Sequence, residues 1–433
     1  MNIGTKISAP ISVNLELTDQ CNLGCFFCFS SRNISSQQYP TLSSEERYEN
    51  LVQILHFLKE AGVLEVRFFG GEFSLVRNWR QLMEYAHKLG FFISFVSNGT
   101  LFHNEDVALF KQVGITECSI SLHGKRDVHD QVTKRPGSFD KAVGFIKALQ
   151  REHIDVAVPF TPTPVNLPFF EEFVVLMSRD HHIETIGMNR LYKDDGSYGQ
   201  LSLSDYIDIF KLLHKIRVKY NIPVNFLDSF PRCLVPMRYW PYMMYCAQGI
   251  AFAQVNAFGD VKNCSSVHVS LGNLFQQDMK SIWDIELRDF RKLNHLPLSC
   301  RLCPIYCGGG CIATRTMESN FVPDEFISMP EEESLIEAIK ITAKNYLKKW
   351  LFQSLSFIRH QDNSHIQQEI PECPIMKRKY RLRKEDENSY IGLFDNRGIL
   401  FLDQDAVDIL RMLNGSNSLQ DISKKKKYVH NKG

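Results

Sequence analysis

The chain has 433 residues, of which 44% are hydrophobic and 23% charged, with a formal net charge of +1. That length suffices for two or three domains with a sizeable core, and the composition is that of a globular protein. The near-zero charge excludes a global electrostatic attraction to nucleic acid or to a membrane surface.

Residues 1–10 lack the apolar core of a signal peptide, and no apolar run is long enough to span a bilayer. The expected compartment is therefore the cytoplasm, where thiols stay reduced. Twelve cysteines in such a chain point to metal or redox chemistry, not to disulfides.

In chain order, Ile11-Ser-Val-Asn-Leu-Glu-Leu17 alternates apolar and polar residues, the pattern of a strand with one buried face. Cys21, Cys25 and Cys28 follow in the loop at its C-terminal end. Ser43-Ser-Glu-Glu46 reads as a helix N-cap with acids in the first turn. Leu51, Ile54, Leu55 and Leu58 then share one helical face, and Gly62 ends the helix. The spacing predicts further strands over 63–69, 91–96, 118–122, 154–158 and 184–189, with helices over 79–89, 104–112, 139–150, 168–179 and 203–219. The second, third and fourth strands close on Gly70-Gly71-Glu72, Ser97-Asn98-Gly99-Thr100 and His123-Gly124. Six strand–helix units with short connections argue a parallel sheet covered by helices. Six are short of the eight of a closed barrel. The expected class is α/β, a partial (β/α)6 barrel of the TIM type over residues 1–222, with a lateral opening for a large substrate.

Past 222 the pattern breaks. Pro223, Pro231, Pro236 and Pro241 punctuate a stretch that leads into a second cysteine group at 233, 246, 264, 300, 303, 307 and 311. Residues 223–330 read as an irregular domain held together by metal. A helix over 331–359 and a polar linker over 361–369 make up 331–373. Two strands over 390–394 and 398–402, joined by a turn at 395–397, precede an amphipathic helix over 403–413. These form a small α+β module, 374–433. Cys118 reads as a buried small hydrophobe, and Lys424–Lys427 as a solvated tail.

Three thiolates are one short of the four that usually hold a cubane iron–sulfur cluster, which leaves one iron open. A zinc site is the bland alternative. Structural zinc usually takes four ligands in paired two-residue spacings, whereas here the gaps are three and two residues, flanked by Phe26, Phe27 and Phe29. Spacing by itself gives iron–sulfur the edge and leaves zinc open.

Cys21-x3-Cys25-x2-Cys28 after a first strand resembles the signature of the radical S-adenosylmethionine (SAM) superfamily. Phe69-Gly-Gly-Glu72 resembles that family's second-strand Gly-Gly-Glu-Pro motif, with Phe73 in place of the proline. Ser97-Asn98-Gly99-Thr100 resembles its third-strand motif, Ser119-Ile-Ser121-Leu-His123-Gly124 its fourth, and His129-Asp130 through Arg135-Pro-Gly-Ser-Phe139 the loop after the fourth. The likeness covers roughly residues 10–220. It implies that three thiolates bind a 4Fe–4S cluster whose open iron takes the amino and carboxylate groups of SAM. Electron transfer, from a donor such as flavodoxin or ferredoxin, then cleaves the sulfonium. The product is a 5′-deoxyadenosyl radical that abstracts hydrogen from substrate. The SAM-site residues implied are Gly70, Gly71, Glu72, Ser97, Asn98, Ser121 and Asn189, with Glu72 on the methionine amino group.

Cys246-x12-Gly259-x4-Cys264 with Cys300-x2-Cys303-x3-Cys307-Gly-Gly-Gly-Cys311 resembles the SPASM domain, which carries two auxiliary 4Fe–4S clusters. The gap between Cys303 and Cys307 is shorter than usual, and the usual last cysteine is missing. By the family's interleaved pattern Cys246, Cys264 and Cys311 share one cluster, with Cys233 expected as the fourth ligand. Cys300, Cys303 and Cys307 hold the other, with Cys373 expected. The C-terminal module resembles a PqqD-like element that captures a leader peptide by adding a strand to a sheet edge; a small cap on the SPASM domain is the plainer alternative. Together these resemblances imply a peptide maturase that crosslinks or epimerises a ribosomally made precursor. The alternatives are a formylglycine-forming sulfatase-type maturase, a tetrapyrrole or small-cofactor enzyme and, from another class, a non-catalytic iron–sulfur electron carrier.

Overall fold

The computed structural model describes residues 7–28, 40–192, 199–305, 307–314, 323–328, 335–360, 379–387, 389–394 and 399–413. Cys373, Phe29, the linker at 361–369, the turn at 395–397 and the lysine run at 424–427 lie outside the described residues.

Strands β1 (Ser12–Glu16), β2 (Glu65–Phe69), β3 (Phe92–Ser97), β4 (Glu117–Ile120), β5 (Val156–Phe160), β6 (Thr185–Met188) and β7 (Val224–Phe226) lie parallel and in chain order. Helices cover the sheet. On the other edge of β1, β8 (Phe252–Asn256) pairs parallel to it, and β9 (Asp260–Lys262) and β10 (Gly272–Asn273) continue antiparallel. The result is one ten-stranded sheet that ends on β10 and β7, which do not pair with each other. The α/β partial barrel is thus as expected, but two expectations change. A seventh strand, three residues long, adds to β6 just after Pro223. The stretch 233–311, expected with little regular structure, supplies β8–β10 and the helices Met279–Ile285, Arg288–Arg291 and Leu298–Arg301. Its Val255, Ile282 and Trp283 join the same core as the barrel strands.

Alternation explains the layering. Val13 and Leu15 of β1, Val66 and Phe68 of β2, and Ile93 and Phe95 of β3 are buried in the core with Leu51, Ile54, Leu55 and Leu58 of the helix Ser44–Glu60. Each such side chain stabilises the fold by roughly 1.5–3 kcal/mol. The opposite face is polar: Ser94 Oγ donates to Glu65 Oε1 at 2.6 Å, Arg67 Nη2 to Ser119 Oγ at 2.7 Å, and Gln254 Nε2 to Glu16 Oε2 at 2.5 Å. Ser43 caps the first helix in a capping box with Glu46, as its sequence predicts.

The helix Arg126–Thr133, read from sequence as part of a loop, follows β4. Its Asp130 carboxylate accepts from Gly137 N, Phe139 N and Ser138 Oγ at 2.6, 2.9 and 2.9 Å, which fastens the start of the next helix, Ser138–Arg151.

At the C-terminus β11 (Tyr380–Lys384), β12 (Ser389–Phe394) and β13 (Ile399–Asp403) form an antiparallel sheet followed by the helix Gln404–Met412. Only the last two strands were expected, because charged Arg381, Arg383 and Lys384 mask the pattern of β11. Those arginines do the docking. Buried Arg383 donates to Ala9 O, Pro10 O and Gly62 O at 2.8, 2.9 and 3.2 Å. Arg381 donates to Phe91 O and lies over the Phe92 ring. Ile391 and Leu393 pack with Ile7, Ile11, Leu64, Phe92 and Ala251. Ile11, Leu64 and Phe92 stand at the starts of β1, β2 and β3. The module therefore sits on the floor of the barrel, at the end away from the loops that follow the strands. Among the described residues, no helix is long and apolar enough to cross a membrane.

Candidate cofactor and metal sites

The loop after β1 is drawn across the end of β2. Leu17 N donates to Phe69 O, Gly71 N to Thr18 O and Glu72 N to Gln20 O at 3.0, 2.7 and 2.7 Å. This approach demands glycine. A Cβ on Gly71 would stand 2.3 Å from Gln20 O, and one on Gly70, whose φ is +146°, 2.4 Å from Thr18 O. Phe73, the departure from the family motif, is wholly buried against Phe68, Trp79 and Phe95, so its ring fills core beneath the turn.

Cys21, Cys25 and Cys28 lie on this loop. Asn98 Nδ2 donates to Asn22 Oδ1 at 2.9 Å and to Cys21 Sγ at 3.7 Å, and Asn22 Nδ2 to Thr100 Oγ1 at 2.8 Å. Gly24 N donates to Thr133 O at 2.9 Å, so the helix missed by sequence anchors the loop. The edge of Phe27 meets the His123 ring at 4.7 Å. Burial pushes the Cys25 and Cys21 thiols up; Cys25 also feels the charge of Cys28 and Cys21, and Cys21 that of Glu72 and Cys28. A bound cation favours the thiolate form of such cysteines, which suits a cluster of irons.

The residues expected at a SAM site are gathered unevenly. The Glu72 carboxylate is buried and accepts from Ser97 Oγ, Asn98 N and Ser74 Oγ at 2.8, 2.9 and 2.7 Å. Burial raises its pKa, and these bonds oppose the rise. Glu72 is thus a strut that joins the ends of β2 and β3. Ser97, Asn98, Gly70 and Gly71 adjoin it, and Ser121 N donates to Ser97 O at 3.0 Å. Asn189 follows β6, where its N–H meets Phe160 O at 2.8 Å.

The second cysteine group divides in two. Cys246, Cys264 and Cys311 form one set. Their thiols are pushed up by burial, Cys264 to about 11, and all three lie in the field of the half-buried Asp228. Asp228 accepts from Arg190 N at 2.6 Å and from Tyr192 Oη at 3.4 Å. Cys311 N donates to Asp324 Oδ2 at 2.9 Å, and Asp324 forms a two-pronged pair with the buried Arg190 guanidinium. Tyr206, Phe230 and Phe326 enclose that guanidinium at 5.0, 4.6 and 5.1 Å. A Cβ on Gly310 would lie 2.4 Å from Asp324 Oδ2, which explains the last glycine before Cys311. Neither Asp228 nor Arg190 was singled out from sequence, although Arg190 directly follows Asn189.

The other set surrounds a cavity of about 620 Å³ lined by Cys300, Cys303, Cys307 and Cys233. Cys233 is thus placed here and not with Cys246, where the sequence pattern put it. Among the described residues, no three His, Cys, Asp or Glu side chains converge closely enough to share a single ion. Four cysteine thiols around one cavity match the ligand count of a cubane iron–sulfur cluster.

Residues 15–173 match the family model of the Radical SAM superfamily, and residues 246–304 that of the SPASM iron-sulfur cluster-binding domain. The sporulation killing factor maturation protein SkfB of Bacillus subtilis (strain 168) is 26% identical over 281 residues, covering 63% of this chain and 64% of that protein. The alignment therefore spans a little under two thirds of SkfB. An AdoMet-dependent heme synthase of Oleidesulfovibrio alaskensis (strain ATCC BAA-1058 / DSM 17464 / G20) is 23% identical over 339 residues, covering 72% and 84%. Streptococcus suis SuiB, in a crystal structure bound to precursor peptide SuiA, shares the fold with a TM-score of 0.58 at 15% identity, over 75% of this chain and 77% of that one. The chain carries a radical SAM domain and a SPASM domain. These are domains of enzymes, and they imply 4Fe–4S clusters and S-adenosylmethionine as cofactors.

Proposed function

We propose that this chain is a radical SAM/SPASM peptide maturase that forms a crosslink or an epimer in a ribosomally made precursor. When bound, the cluster and SAM supply a hydrogen-abstracting radical. The chain's own residues do the rest. Cys21, Cys25 and Cys28 hold the metal. Gly70 and Gly71 let the loop lie against β2. Glu72, Ser97 and Asn98 fix the SAM-facing turn, and Ser121 and Asn189 extend it along the strand ends. The division of labour follows 1–222 for radical chemistry, 223–330 for auxiliary clusters, 331–373 as connector and 374–433 for peptide capture, in the cytoplasm with a flavodoxin- or ferredoxin-like donor.

The observation that carries the peptide reading is the C-terminal sheet. Among the described residues β13 pairs only with β12, and Leu400 is half exposed on it. An edge strand next to a helix can take an added peptide strand. The maturation role in SkfB's name and the SuiB fold support the same reading. Reconstituted protein with dithionite is expected to turn SAM into 5′-deoxyadenosine, and no turnover by iron-loaded protein overturns the proposal. Deleting 374–433 is expected to weaken precursor binding while SAM cleavage persists. A porphyrin substrate, as the heme-synthase likeness suggests, would instead leave substrate binding untouched by the deletion.

A further inference from the structure

The cavity lined by Cys300, Cys303 and Cys307 has a fourth thiol from a distant part of the chain. Cys233 sits in the short 3-10 turn Arg232–Leu234, which follows β7. Trp240 Nε1 pins that turn by donating to Arg232 O and Val235 O at 3.0 and 3.1 Å. Ser229 Oγ donates to Cys307 O at 2.9 Å, which ties the segment before Cys233 to the last cysteine of the other three. The helix Leu335–His360 closes the far side. Its Asn345 Nδ2 donates to Cys303 Sγ at 3.4 Å and its Lys348 Nζ to Cys233 O at 2.8 Å. One helix thus latches both the upstream and the downstream parts of a single cysteine ring.

Resting on the radical SAM/SPASM reading, we infer that Cys233 is the fourth thiolate of the auxiliary cluster held by Cys300, Cys303 and Cys307. The metal site is closed from upstream, by a residue of the turn after β7, and Cys373 is not needed for it. The short Cys303–Cys307 gap fits this arrangement, because the turn at Cys233 brings a ligand to the side a longer loop would otherwise have to reach. A cluster closed by four thiolates has no open iron. It therefore serves electron transfer, and Cys246, Cys264 and Cys311, with Asp228 beside them, form the other auxiliary set.

The test reads metal, not turnover. In a Cys21→Ala/Cys25→Ala/Cys28→Ala parent, reconstituted protein is expected to hold about eight irons in two 4Fe–4S clusters. Adding Cys233→Ala is expected to lower this toward about four, or to leave a three-iron cluster visible by electron paramagnetic resonance after mild oxidation. Adding Cys373→Ala is expected to leave both iron and spectrum unchanged. Cys233→Ser, with nearly the same volume, separates loss of a ligand from loss of fold: its circular dichroism is expected to match the parent and its reduced-cluster spectrum to shift. A parent with about eight irons whose content and spectrum survive Cys233→Ala, or which loses a cluster with Cys373→Ala, overturns the inference alone. A parent without auxiliary iron overturns it together with the reading beneath it.

Discussion

At Gly71 one hydrogen decides whether the cysteine loop can reach its place. A Cβ there would meet Gln20 O and Asp19 O at 2.3 and 2.5 Å, both main-chain atoms that cannot rotate aside. Gly71→Ala is expected to displace residues 18–21 and to lower iron content by about one cluster of three, read as iron per chain against the parent. His129 makes a pH prediction. Burial lowers its pKa to about 4, and its Nδ1 accepts from His123 N at 3.1 Å. The unfolded chain takes up a proton below about pH 6.5, while folded His129 stays neutral. Its contribution is thus fully present above that value and is lost as pH falls toward 4, by about 3 kcal/mol. Urea titrations of His129→Asn, which keeps an acceptor near Nδ1, are expected to show a shallower acid loss. His123, also lowered by burial, retains its own share, so an unchanged slope would refute the assignment to His129. The glycines and the paired histidines were visible in the sequence as motif members. What they do was not, because a close contact with Gln20 O is a relation between segments about fifty residues apart.

Among elements, the first helix needed little more than its own sequence. Ser43 and Glu46 set its start, and Leu51, Ile54, Leu55 and Leu58 set its buried face. Leu55→Ala is expected to cost about 2–5 kcal/mol by chemical denaturation, and Ser43→Ala about 1 kcal/mol. The strand β11 is the opposite case. Its charged residues break the apolar alternation of a strand, yet Arg383 is buried among main-chain carbonyls before β1 and β2. Arg383→Met leaves those acceptors without their charged donor. It is expected to release the C-terminal sheet, seen as faster amide exchange over 379–413 with SAM cleavage retained. Unchanged exchange would mean that the apolar contacts of Ile391 and Leu393 hold the module by themselves. The helix Arg126–Thr133 was missed because its apolar positions are few. Its position is set by Asp130, which caps a neighbouring helix, and by Thr133 O, which receives Gly24 N.

For the whole molecule, the sheet joins what the sequence separates. Since β8 pairs with β1, the segment between Cys246 and Cys264 is built onto the same sheet as the loop of Cys21, Cys25 and Cys28. The caged Arg190–Asp324 pair links the end of β6 to Cys311. Burial opposes the charge of this guanidinium, and Asp324 overcomes it, holding Arg190 protonated. Arg190→Met strands a buried carboxylate at a cost of about 3–5 kcal/mol. It is expected to shift the reduction potential of the cluster at Cys246, Cys264 and Cys311 while the spectrum of the three-cysteine loop stays as it was. A uniform loss of all iron would show that the pair only supports the fold. The sequence by itself determined the alternating strands and helices, the order of the strand-end motifs and the loop that starts the chemistry. These depend on period, capping and short spacings, which are local. Only the tertiary structure decided which cysteines share a cavity, where the C-terminal sheet docks and that Asp228, Arg190 and Asp324 gather beside Cys311. Those are contacts between segments brought together by one sheet and one core, and no local pattern encodes the distance across a fold.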